Sequence, residues 1–223
     1  KTRCGIFRKQ GKEIQVLDLK AQDYRKSAAE VAEEVDAILK MKNPAEKFAA
    51  LRASAQPQAQ FLWAIFRDIF HYAAVQLESV ADNARDLDLA MRWGFGWSQG
   101  PFETWQAAGW SDIAQAIAAD IAAGKAMSAT PLPAWVLDSG RTGVHTGQGS
   151  YSASKNTYVA RSTLPVYQRQ LFPERVLGEG GALPEKSGET LYENDGVRLW
   201  TLPAVDGKIG IISVKSKMHT IGN

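Results

Sequence analysis

Apolar residues recur at helical spacing through the first 125 positions of this chain, and the longest such stretch covers residues 58–81. That stretch predicts one long helix with a wide apolar stripe, which is typical of a helix at the centre of a bundle. The stripe comprises Phe61, Leu62, Ile65, Phe66, Ile69, Ala73, Leu77 and Val80, extended by Trp63 and Phe70.

Local start and stop signals predict shorter helices on both sides of the long one. Ser27 and Glu30 match a capping box, which predicts a helix that begins at residue 27. Asn43-Pro44 supplies an N-cap residue followed by a proline at the first helical position, and that helix should end near Ser54. A further helix is predicted over residues 83–93. The next should run from Gly100-Pro101 to Ala108 and end at Gly109, and another should begin at Ser111-Asp112.

Strand patterns flank this helical region. Residues 6–19 predict a short hairpin or extended segment with its turn at Gly11. Glycine, proline, serine and threonine dominate residues 125–191, which predicts an irregular region with one helical turn at 134–139 and short strands at 157–161 and 189–193. Residues 197–214 predict a hairpin around Asp206-Gly207. The predicted fold class is therefore mainly α: a helical bundle, an irregular linker region and short β-strands.

Composition excludes several classes of protein. The net charge is +2, with 45% hydrophobic and 22% charged residues, which is ordinary for a globular protein and does not indicate nucleic-acid binding. No apolar run approaches the ~20 residues that span a bilayer. With one cysteine, Cys4, and three histidines, neither an intrachain disulfide nor a zinc site is expected. A cytoplasmic setting is expected, and the ends of the sequence suggest a piece of a longer polypeptide.

Isolated polar residues offer little catalytic chemistry. His71 lies in the middle of the long predicted helix, three residues after Asp68, and a hydrogen-bonded core histidine is favoured over a catalytic base. His145 and His219 lie in loop-like stretches and are interpreted as solvated. Asp86 and Asp88 are two positions apart on a predicted helix, so their carboxylates should diverge, and Asp86 is interpreted as a helix-start charge.

A corner rich in glycine and aromatic residues follows that pair. The spacing of Gly94, Gly96 and Gly100 is not a dinucleotide fingerprint and favours a structural corner with a positive φ and close packing. The aromatic residues of the corner are predicted to lie in the core; they are Trp93, Phe95, Trp97, Phe102, Trp105 and Trp110. Residues 147–150 predict a turn. No catalytic, cofactor-binding or metal-binding residue is therefore assigned.

One stretch carries a family resemblance. Asp86-Leu-Asp88-Leu-Ala-Met91, followed by Gly94-Phe-Gly96 and Gly100-Pro101-Phe102-Glu103, resembles the C-terminal helical domain of the 3-hydroxyacyl-CoA dehydrogenases, over residues 61–110. In that family a helix carries a catalytic-site Asn followed by Glu-Ala. At the corresponding positions this chain has His71-Tyr72-Ala73. Residues 1–7 resemble the tail that closes the first of two helical copies. The resemblance thus implies that residues 1–26 are that tail and that residues 27–125 are a second, non-catalytic copy.

A shorter resemblance lies at the other end. Residues 207–223 resemble the first strands of the crotonase, or enoyl-CoA hydratase, fold, although Lys215-Ser216-Lys217 departs from the usual Asn-Arg-Pro. This divides the remaining chain into a linker region, 126–195, and a truncated crotonase-like domain, 196–223.

Together the two resemblances imply a bifunctional enzyme of fatty-acid β-oxidation. Such a parent would oxidise 3-hydroxyacyl-CoA with NAD and hydrate enoyl-CoA, and it would have acyl-CoA substrates and adjoining Rossmann and hydratase domains. The present chain alone is expected to be inactive and to bind no cofactor. The alternative, a helical scaffold or subunit-interaction module with no enzymatic role, stays open, as does assembly into a homo-oligomer.

Overall fold

The structure is a computed structural model that describes residues 5–27, 30–170, 174–178, 187–202 and 208–216. Its helical part consists of α1 (Glu33–Leu39), α2 (Pro44–Ala53), α3 (Pro57–Val80), α4 (Ala84–Phe95), α5 (Pro101–Ala122) and the short α6 (Pro165–Gln168), with one 3₁₀ turn at Ala134–Leu137. The strands are β1 (Phe7–Gln10), β2 (Glu13–Asp18), β3 (Asp23–Lys26), β4 (His145–Thr146), β5 (Gly149–Ser152), β6 (Thr157–Val159), β7 (Glu189–Glu193), β8 (Val197–Thr201) and β9 (Gly210–Val214).

The strands form three small antiparallel sheets of consecutive strands, β1-β2-β3, β4-β5-β6 and β7-β8-β9. The predicted hairpin with its turn at Gly11 is confirmed, and β3 is an additional strand that the sequence pattern did not reveal. The strands predicted in residues 197–214 pair as β8 and β9, with Trp200 opposite Ile211. The Asp206-Gly207 turn between them lies outside the described residues.

The N-cap side chains of Asn43 and Asn83 fix the starts of α2 and α4. The side chain of Asn43 accepts a hydrogen bond from the amide of Ala45 at 3.0 Å, as expected for the N-cap of α2. The prediction of a helix start at Ser27 is wrong, because α1 begins at Glu33 without a side-chain cap. The amide of Ser27 instead donates to the carbonyl of Ile14 at 3.1 Å, which extends the pairing between β2 and β3. Ala28 and Ala29 of the expected capping box lie outside the described residues.

The central helix α3 buries part of the predicted apolar stripe and leaves the rest of it exposed. Its most buried apolar side chains include Trp63, Phe70 and Leu77, which belong to that stripe and lie in one buried cluster with residues of α2 and α5. Phe61 and Val80, which belong to the predicted stripe, are exposed. Because α3 is apolar over much of its circumference, the elements that pack against it decide which part of the stripe is covered.

A stack of aromatic rings runs through the core and continues past residue 125. The ring of Phe70 on α3 packs on Trp105, which stacks on Trp110 at 4.3 Å between centroids. Trp110 packs on Trp135 of the 3₁₀ turn at 6.1 Å, and Trp135 packs on Tyr151 of β5 at 4.8 Å. The sequence predicts a linker here, but residues 132–158 contribute to the helical core.

None of the described helices is both long enough and apolar enough to cross a membrane.

Candidate functional site at the α4–α5 corner

The corner between α4 and α5 is built around two glycines with different roles. Gly96 ends α4 with φ 68°, in the left-handed region that suits glycine. Gly100 is the N-cap of α5 with φ −75°, so it needs no unusual backbone angle. A Cβ atom at Gly100 would instead lie 2.4 Å from the side chain of Asp88, so close packing explains this glycine. The prediction of a structural corner is confirmed at both positions.

Asp88 on α4 supplies the capping group that Gly100 lacks. Its Oδ1 accepts from the amide of Phe102 and its Oδ2 accepts from the amide of Glu103, each at 2.9 Å. The amide of Gly100 donates to the Glu103 carboxylate at 2.8 Å. The first amides of a helix have no partner within the helix, and here a carboxylate from the preceding helix satisfies two of them. The sequence motif therefore encodes a cap that is shared between two helices.

His145 joins this cap from β4. Its Nε2 lies 2.8 Å from Oδ2 of Asp88, and its Nδ1 lies 2.8 Å from the hydroxyl oxygen of Ser150. The side chains of His145 and Asp88 are both 0% exposed. The prediction of a solvated His145 is wrong, because the hairpin of β4 and β5 places the imidazole ring in the buried α4–α5 corner.

The grouping of Asp88, His145 and Ser150 resembles a catalytic triad in composition only. A triad needs a nucleophile that a substrate can reach, and Ser150 is 2% exposed. The Asp88 carboxylate is occupied by two backbone amides as well as by His145. Burial raises the pKa of Asp88, and the hydrogen bond from His145 opposes that rise. The arrangement therefore acts as a buried polar clamp that fixes β4 and β5 to the start of α5.

Gln106 on α5 strengthens that attachment. Its side-chain oxygen accepts from the amides of Val144 and His145 at 2.9 and 3.0 Å, and its side-chain nitrogen donates to the carbonyl of His145 at 2.9 Å. A Cβ atom at Gly143 would lie 2.1 Å from that same oxygen. One amide side chain therefore satisfies three backbone groups of an otherwise irregular segment.

Residues 174–178 are held against the outer side of the corner by charged groups. Glu103 accepts from the amide of Leu177 at 2.8 Å, and Arg92 donates to the carbonyl of Arg175 at 2.8 Å. Arg92 also pairs with the carboxylate of Glu174. Val176 between these contacts is buried.

His71 occupies a closed position on α3. It is 4% exposed, and its Nε2 lies 2.8 Å from the carbonyl oxygen of Thr130. Asp68 pairs with Arg67 at 2.9 and 3.0 Å and accepts from the amide of Met127, so it does not orient the His71 ring. The prediction of a hydrogen-bonded core histidine is confirmed.

Other predicted positions divide between core and surface. Phe102, Trp105 and Trp110 are buried as predicted, whereas Trp93, Phe95 and Trp97 are 67%, 71% and 37% exposed. The predicted turn at residues 147–150 connects β4 to β5. His219 and Cys4 lie outside the described residues. Within the described ranges, no three His, Cys, Asp or Glu side chains come together as metal ligands.

Sequence comparison identifies a relative for half of the chain. Over 111 residues, which is 50% of this chain, the sequence is 34% identical to a probable 3-hydroxyacyl-CoA dehydrogenase of Bacillus subtilis (strain 168). The match spans only 14% of that relative's length. No protein-family model matches the chain, and no solved structure matches it. The match supports the resemblance to the dehydrogenases and does not extend to a hydratase.

Proposed function

We propose that this chain is a non-catalytic helical portion of an NAD-dependent 3-hydroxyacyl-CoA dehydrogenase. The observation that carries the proposal is the 34% identity over half of the chain to a probable enzyme of that kind. The helical bundle with its shared cap at the α4–α5 corner agrees with it, because Asp88, Gly100, Pro101 and Phe102 of the family-like stretch all have structural roles there.

The non-catalytic part of the proposal rests on His71. The family resemblance places a catalytic-site Asn at this position, where its side chain would have to face a substrate. Here the side chain is buried and bonded to the carbonyl of Thr130. A group that holds a backbone carbonyl in the core is not available to a substrate without breaking that contact. The buried Ser150 likewise offers no accessible nucleophile.

The wider context is part of the same proposal. The parent enzyme would oxidise 3-hydroxyacyl-CoA with NAD bound to a Rossmann domain and would hydrate enoyl-CoA through a crotonase-like domain that begins with residues 196–223. Residues 1–26 would be the tail of a preceding helical copy. We place the end of the helical unit near residue 160 instead of 125, because Val136, Val144 and Tyr151 belong to its buried core.

NAD titration and an NADH absorbance assay with acetoacetyl-CoA test this proposal. The Bacillus subtilis relative, assayed in parallel, serves as the positive control. We expect no saturable NAD binding and no turnover by this chain. Micromolar NAD binding, or NADH oxidation by the isolated chain, would overturn the non-catalytic assignment. A crystal structure in which α3, α4 and α5 fail to superpose on the helical domain of a dehydrogenase would overturn the family assignment.

The alternative of an interaction module is favoured by a specific observation, the exposure of Phe95 and Trp97 at the end of α4, whose ring centroids lie 6.2 Å apart. Exposed aromatic side chains that lie close together commonly mark a surface that contacts another molecule.

A further inference from the structure

A large open groove lies between the C-terminal half of α3 and the face of α4, and we call it the α3–α4 groove. Its volume is about 1030 Å³. Apolar side chains from α3, α4, the α4–α5 corner and the stretch after α5 line it, namely Ile69, Tyr72, Leu87, Met91, Trp97 and Met127. Tyr72 and Met127 are 63% and 81% exposed. An apolar concavity of this size on a folded chain indicates a binding surface.

The charges around the groove all have one sign. Asp68, Glu78, Asp82 and Asp86 line it, and among the described residues no Lys, Arg or His does so. Asp68 is neutralised by Arg67, which leaves the acidic edge mainly with the other three. Burial raises the pKa of Asp86, and the neighbouring negative charge of Asp82 raises it further.

We propose that the α3–α4 groove binds a basic amphipathic helix of a partner protein. The apolar face of such a helix would fill the groove, and its Lys and Arg side chains would meet the acidic edge. Met91 and Met127 supply flexible, polarisable side chains that adapt to an incoming apolar surface. A helix is about 10–12 Å wide with its side chains, so only its apolar face would enter.

The same electrostatics argue against an anionic occupant. An acyl-CoA carries several phosphate charges, and these would be held next to Asp82 and Asp86. This inference rests on the groove alone and does not depend on the dehydrogenase proposal. It would stand if the chain proved to be a scaffold, and its failure would leave the dehydrogenase proposal intact.

Fluorescence anisotropy with two labelled peptides tests the proposal. The first is a helical peptide of Leu and Lys, about five turns long, and the second has Glu in place of every Lys. We expect the Lys peptide to bind with a Kd at least about tenfold lower than that of the Glu peptide. Raising the ionic strength should weaken the binding of the Lys peptide more than that of the Glu peptide, because salt screens the attraction between exposed charges.

Variants of the full chain locate the binding. The double change Asp82→Asn with Asp86→Asn should weaken Lys-peptide binding about three- to tenfold and flatten its salt dependence. Met127→Ser should weaken binding without altering the salt dependence, because it removes only apolar contact. Asp112→Asn, on the exposed surface of α5 outside the groove, is the matched control and should bind like the parent chain. Circular dichroism verifies that each variant is folded.

Four results would overturn the proposal. These are equal binding of the two peptides, unchanged binding by the folded groove variants, displacement of the Lys peptide by palmitoyl-CoA, and self-association of the chain that the groove variants abolish in sedimentation experiments. The third would indicate an acyl-CoA site, and the fourth would indicate a second copy of the chain as the occupant.

Discussion

Replacing Gly100 with alanine adds a single methyl group at the point where α4 and α5 approach most closely. A Cβ atom there would lie 2.4 Å from Cβ, Cγ and Oδ1 of Asp88. Non-bonded carbon atoms rest about 3.5–4.0 Å apart, so the Asp88 side chain would have to move by about 1 Å. Backbone strain plays no part, because φ at Gly100 is −75°.

The expected loss of stability follows from the hydrogen bonds that the Asp88 carboxylate accepts. A shift of about 1 Å would lengthen the two 2.9 Å bonds to the amides of Phe102 and Glu103 beyond hydrogen-bond range. Loss of a helix cap costs about 1 kcal/mol. Each of the two amides left buried without a partner costs ~1–3 kcal/mol, about 2–6 kcal/mol for the pair, and this sum already includes the lost cap. We therefore expect Gly100→Ala to lower the free energy of unfolding by about 3–5 kcal/mol, a large share of the total stability of a domain.

Urea denaturation followed by tryptophan fluorescence measures this difference. Gly94→Ala is the matched control in the same corner, because a Cβ atom at Gly94 would meet nothing within 4 Å. Since Gly94 lies within α4, alanine there should be neutral or stabilise the protein by up to about 1 kcal/mol. A loss below about 1 kcal/mol for Gly100→Ala would refute the reasoning. Equal losses for the two variants would refute it as well.

Two further outcomes follow from the same network and core. Because burial raises the pKa of Asp88 in the folded protein, its contribution to stability is fully present below its unfolded pKa of about 4 and is lost as the pH rises through the folded pKa. Asp88→Asn should therefore make the urea midpoint less dependent on pH above about 4, and parallel pH profiles would contradict this. Truncation after Asn194 should leave the thermal melting of the helices largely intact, whereas truncation after Lys125 should unfold them by removing Val144 and Tyr151 from the core. Similar melting of the two truncated chains by circular dichroism would show that the helical unit ends before residue 125.

Helix positions were predictable where the signal is local. Asn43 and Pro44 fix the start of α2 because capping and the fixed φ of proline act within a few residues. The same reasoning failed at Ser27, where a long-range bond to Ile14 competes with helix formation. A capping pattern indicates only the local preference of a segment for the start of a helix, and at Ser27 strand pairing overrides that preference.

The polar clamp at the corner was not predictable in the same way. Asp88 and His145 lie 57 residues apart, and His145 stands in a stretch whose composition indicates an exposed loop. The stretch that resembles the dehydrogenases includes both Asp88 and Gly100, but its sequence does not reveal that the Asp88 side chain packs on Gly100. The contact exists only once the β4–β5 turn reaches the start of α5.

The sequence by itself determined the helical class of residues 44–122, the end of α4 at Gly96, the interruption at Gly109, which is a kink inside α5, and the paired strands near residues 7–18 and 197–214. These features depend on periodicity, caps and backbone freedom, which act over a few residues. Only the tertiary structure decided which part of the predicted α3 stripe is buried and that residues 132–158 belong to the core. It also decided that His145 is buried while Trp93 is exposed, because burial depends on which distant segments meet.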